Sequence, residues 1–157
     1  MQPASTAISS AQSGSAGARW MRVALQVNPY GYQGKNQPST HYADEAVYNA
    51  ALIAELQGNG IEVIGITDHW CAQTARGLID ACEVAGVVAL PGFEANSREG
   101  VHLLVLFPQG TDLGGVGAAI GACGAVPAGP AGKLRKPMAE IADEMHDGVD
   151  IERPLVP

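Results

Sequence analysis

Asp68 and His69 close an apolar, β-branched run, Ile61-Glu-Val-Ile-Gly-Ile-Thr67. An acid and an imidazole at the end of a buried strand are costly unless they are paired or put to use. They are also common ligands for a divalent metal. Val87-Val-Ala-Leu-Pro-Gly-Phe-Glu94 repeats the design with a second carboxylate. Val101-His102-Leu-Leu-Val-Leu-Phe107 opens a further apolar run on another imidazole. His69, Glu94 and His102 are therefore the candidate metal ligands, and Asp68 with His69 the candidate catalytic pair. A glutamate can serve two ions at once, one with each oxygen. Asp68 either ligates or orients His69 from behind. The chemistry such a set supports is metal-assisted hydrolysis. Other groups carry less. His41 lies in a loop and His146 at a polar helix end, and both read as surface residues. Ser39, Ser97 and the cysteines make no nucleophile–base pair by spacing. The glycines between 114 and 124 lack the Gly-Lys-Ser/Thr ending that cradles phosphates.

These residues need strands to carry them and helices to cover the strands. Arg22 to Val27 reads as a strand stopped by Asn28-Pro29, and 29–40 as a loop rich in Gly, Pro, Gln and Asn. Asp44-Glu45 opens a helix reaching Gln57, with Val47, Ala51, Ala54 and Leu56 as its apolar side. Strand 61–66 follows, then a helix from Gln73 to Val84. Strand 87–90 leads to a turn at Pro91-Gly92, which would swing Glu94 out of the strand line. Strand 101–107 is apolar enough to be buried on both faces. The order β-α-β-α-β-β predicts an α/β domain with parallel strands and covering helices. Leu113 to Cys123 reads as a glycine-weakened helix, 124–137 as a loop and Met138 to Met145 as a short helix. Four strands do not close a barrel and nothing after 107 offers another. The domain, 19–157, thus reads as incomplete at its C-terminus, behind a disordered leader over 1–18.

Length and composition set the bounds. The 157 residues suffice for one domain with a core. A net charge of −7, with scattered acids, argues against a protein built to grip nucleic-acid backbones. It leaves room for a small phosphorylated substrate held by metal ions. The leader lacks the basic start and apolar centre of a signal peptide, and no stretch approaches the ~20 apolar residues of a membrane span. Cys71, Cys82 and Cys123 show no CxxC spacing, which predicts reduced thiols in a cytoplasmic protein.

Taken together, Thr67-Asp68-His69, Gly92-Phe93-Glu94 and His102 in Val-His-Leu-Leu resemble ordered motifs of the PHP (polymerase and histidinol phosphatase) domain family. The opening Gly17-Ala-Arg-Trp20-Met-Arg22-Val-Ala24-Leu25-Gln26-Val27-Asn28-Pro29 looks like PHP domains fused ahead of an SMC/AAA-like ATPase, the TrlF type. The resemblance covers about residues 17–125. It implies a partial, distorted β/α barrel, a divalent metal (zinc, manganese or iron) and phosphoester hydrolysis. It also departs from the pattern. Ala24 replaces an Asp, Gln26 and Asn28 stand where histidines are expected, and the distal His and Asp-x-His motifs are missing. Amides are poorer ligands than imidazole for transition metals. Gln26 and Asn28 would then line the pocket by position, and His69, Glu94 and His102 would hold one weak ion. Weak or absent turnover is the expectation. The alternative is a non-catalytic interaction or regulatory module, associating with an ATPase partner or with a second copy of itself.

Overall fold

The computed structural model describes residues 20–32, 34–69, 71–125 and 134–147. The expected leader, residues 148–157 and much of the expected loop 124–137 lie outside these residues. The elements are β1 (Val23–Val27), α1 (Glu45–Gly58), β2 (Val63–Asp68), α2 (Arg76–Ala85), β3 (Val88–Asn96), β4 (His102–Leu106), α3 (Leu113–Ala122) and α4 (Met138–Asp147). The strands form one curled sheet, half of a barrel, in the order β1-β2-β3-β4. β1, β2 and β3 run parallel, joined by α1 and α2. β4 is antiparallel to β3, which corrects the expectation of parallel strands throughout. The link 97–101 is too short for a crossover and can only turn back.

Two further expectations fail for related reasons. Pro91-Gly92 is no turn, since β3 runs through it, and Glu94 stays in the strand line. The proline is tolerated because it lies where β4 ends. Phe107 N still donates to the Pro91 carbonyl at 2.8 Å, and only the return bond of that last pair is lost. Nor is β4 buried on both faces. Among the described residues it is an edge strand, with Leu104 37% exposed.

Strand alternation sorts the sheet into two faces. Ile64, Ile66, Asp68, Ala89, Phe93 and Ala95 face the helices, and all are buried. Leu78, Leu113, Val116, Ile120 and Ile141 pack on them from α2, α3 and α4. α3 carries four glycines, yet its buried Leu113, Val116 and Ile120 follow helical spacing, and Asp112 caps it by accepting from Gly115 N. Packing outweighs its poor propensity. α1 is capped by Asp44, which accepts from Val47 N at 2.9 Å. Its inward face is Asn49, Leu52, Ile53 and Leu56, whereas Val47, Ala51 and Ala54 are exposed. In so alanine-rich a helix the small apolar residues blur the stripe that packing selects.

The opposite, concave face carries Gly65, Thr67, Gly92, Glu94, His102, Leu104 and Leu106. The neighbouring Val23 and Leu25 of the β1 edge are 49% and 44% exposed.

The α4 end is tied to the β3–β4 turn by Glu99, whose Oε2 accepts from Ser97 Oγ at 2.7 Å and from Met138 N at 3.1 Å. The Ser97 hydroxyl, supported by backbone amides, holds the Glu99 carboxyl below its ordinary 4.5. A carboxyl depressed in the folded state adds stability above its unfolded value and loses it as pH falls through the folded value. The Met138 amide resonance should therefore titrate with a midpoint below 4.5, and α4 amides should exchange faster beneath it. An unchanged Met138 signal down to pH 3 would show that the tie does not hold the helix.

Candidate functional site

The C-terminal ends of β1, β2 and β3 and the first residue of β4 lie along one edge of the sheet, as parallel topology requires. Asn28, Asp68, His69, Glu94 and His102 are placed there together. The sheet does not aim them at one point. Asp68 pairs in register with Phe93 and so shares the helix-side face, while Glu94, one residue on, points to the concave face.

On the helix side, Asp68 is buried and accepts from Thr74 Oγ1 at 2.8 Å. Thr74 belongs to the 3₁₀ turn Ala72–Ala75, which starts the second expected helix and precedes α2. On the concave side, buried Glu94 contacts His102 through Oε1 and Nε2 in a very short contact. The His102 side chain is itself 51% exposed. Register explains the pair: His102 faces Asn96 and Leu104 faces Glu94, so the long imidazole reaches back along one face.

His69 lies just beyond β2, between these groups. Its Nδ1 is 3.1 Å from the Glu94 backbone oxygen, and its Nε2 is 3.1 Å from the Tyr32 hydroxyl. The group orienting His69 is thus the Glu94 carbonyl rather than Asp68. Tyr32 was absent from the sequence expectation. The available signal was the pair Tyr30 and Tyr32 in an otherwise Gly- and Pro-rich loop directly after a strand end. Burial, then the Glu94 and Asp68 carboxylates, raise the Tyr32 phenol above its ordinary value and keep it protonated.

The first-strand positions differ from one another. Gln26 is exposed, in the irregular stretch where the β1–β2 register shifts between Ala24 and Val27. The Asn28 carbonyl accepts from Tyr48 Oη at 2.6 Å. Its Oδ1, and the Oγ1 of fully buried Thr67, are buried without a hydrogen-bond partner. Asn28 follows Val27, which pairs with Ile66, so Asn28 lies beside Thr67. His41 is exposed as expected; the His146 side chain lies outside the described residues. The three cysteines are free, and burial pushes the Cys82 thiol up to about 11, too high for a nucleophile near neutral pH. A separate cleft of about 190 Å³, lined by Arg76, Ile79, Pro91, Thr111 and Asp112 among others, contains none of these strand-end residues.

The arrangement does not fit a two-ion centre. No group of three His, Cys, Asp or Glu among the described residues is placed to hold a metal. The expected ligands are already committed, His69 to Tyr32 and Glu94 to His102. The orphaned oxygens of Asn28 and Thr67 mark unmet polar capacity at the same edge, but they are weak donors for a transition metal.

Comparison with protein-family models, with curated proteins and with solved structures finds no match for this chain. No helix among the described residues is long and apolar enough to cross a membrane.

Proposed function

We propose that this chain is a PHP-like phosphoesterase domain whose hydrolytic activity is weak or absent. One observation carries the reading: Asp68-His69, Glu94 and His102 arrive together at one edge of a curled, largely parallel sheet. That edge is where folds of this kind build active sites. The weakness has a local cause, because the side chains are bonded to one another instead of converging. A phosphoester small molecule or a nucleic-acid end is the substrate class that goes with this reading, in a cytoplasmic setting, with zinc, manganese or iron as the ion. His69, Glu94 and His102 would have to leave their present partners to share a single ion, and so would hold it loosely.

The test is metal content and metal titration of the purified protein, beside hydrolysis of a generic phosphodiester. One weakly bound ion is expected, with affinity dropping roughly ten-fold or more in His69→Ala. Two tightly bound ions and turnover abolished by His69→Ala would contradict the weak-site reading. No binding and no turnover with zinc, manganese or iron leaves the second reading, a non-catalytic module working with an ATPase partner or a second copy. The specific support for it is the concave face, where Val23, Leu25 and Leu104 are apolar and exposed.

A further inference from the structure

The hydrogen bonds of His69 determine its tautomer. The Glu94 carbonyl oxygen can only accept, so Nδ1 carries the ring proton. In the neutral ring Nε2 is then the lone-pair nitrogen, and the Tyr32 hydroxyl 3.1 Å away donates to it. An N–H held by a carbonyl, with the other nitrogen left bare, is how a protein prepares an imidazole to bind a metal. Here the prepared lone pair is filled by a phenol.

Tyr32 is firmly seated for this task. It is 6% exposed, its N donates to the Pro29 carbonyl at 3.0 Å, and its ring lies 5.6 Å from the His69 ring, centre to centre. Gly34 lies so close that a Cβ there would overlap the Tyr32 hydroxyl and the ring carbon bearing it. A Cβ on Gly31 would lie 3.0 Å from Thr74 Cγ2, so the same loop packs on the turn that holds Asp68.

We propose that Tyr32 stands in for a metal ion at His69: its O–H occupies the Nε2 lone pair, and a zinc-type cation reaches that nitrogen only by displacing it. Tyr32 is thus a positioning residue that acts through His69, and it supplies a reason for weak metal binding separate from the missing ligands. The inference rests on the reading of His69 as a ligand.

The experiment is a calorimetric Zn²⁺ titration of the wild type and Tyr32→Phe, with ¹⁵N NMR of the His69 ring in metal-free protein. Tyr32→Phe keeps the ring contact and removes only the donor. The metal-free variant should retain the Nδ1–H tautomer while its Nε2 resonance shifts, and Zn²⁺ should bind about five-fold tighter, the worth of one ordinary hydrogen bond. Gly34→Ala, which pushes the phenol away without deleting it, should move affinity in the same direction. In a His69→Ala background Tyr32→Phe should have no effect, closing the cycle. Equal Zn²⁺ affinity in wild type and Tyr32→Phe overturns the inference while leaving His69 as a ligand. Weaker binding by Tyr32→Phe also overturns it and makes the phenol a ligand. No binding by either protein overturns the inference together with the ligand reading.

Discussion

Phe93→Ala is expected to lose about 3–5 kcal/mol of stability, the usual cost of emptying a large aromatic site in a core. Phe93 is fully buried at the centre of the helix-side face, among Ile64, Ile66, Leu78 and Leu113. Its ring lies 6.4 Å from that of Phe107, tilted by 34°. Main-chain pairing on both sides, to Asp68 and to Val105, stops the strand from collapsing into the space left behind. Domains of this size are stable by only about 5–15 kcal/mol, so the variant should be largely unfolded under mild denaturant. Urea unfolding followed by far-UV circular dichroism should show a much lower midpoint at an unchanged slope. A midpoint close to the wild-type value would mean that β3 is not the centre of the core.

Gly92→Ala should cost about 1–3 kcal/mol and, more tellingly, disturb the site. The added Cβ would overlap the Val105 backbone oxygen and lie 2.8 Å from Leu106 Cδ2. The leucine can rotate, but the backbone oxygen cannot, so the β3–β4 ladder must open beside Gly92 and Leu106. Glu94 and His102 belong to the same ladder, and their contact should loosen with it. The expected result is a loss of exchange protection at the Phe107 amide and in β4, together with a changed His102 ring signal. Full protection in β4 would show that the strands can part by tenths of an ångström at no cost, and the close approach would then have no structural role.

Much of the scaffold was legible in the residues. The succession of strands and helices followed from apolar runs broken by Asn28-Pro29 and Gly58-Asn59-Gly60, with the acids Asp44-Glu45 at a helix start. Each of these is a local signal. Pro91-Gly92 misled because both residue types favour turns, while here β3 runs through both and only its ladder with β4 ends at the proline. The apolar run Val101–Phe107 suggested a central strand. Composition cannot say whether a neighbour exists on the far side, and among the described residues β4 has none.

The site divides the same way. The sequence alone placed Asp68, His69 and His102 at strand ends, because an apolar run bounded by a polar residue locates its own terminus; it placed Glu94 past the end of a strand, whereas β3 continues through it to Asn96. Only the tertiary structure decided which of them meet. A strand shows its side chains to alternate faces, so the pairing of Asp68 with Phe93 sends Asp68 and Glu94 to opposite sides of the sheet. Register is a property of two strands together and is written in neither. Tyr32 is the clearest case: it reaches His69 from 37 positions earlier in the chain, with Gly34 in close approach to its phenol. No local periodicity connects the two residues; the packing of the β1–α1 loop over the sheet edge does.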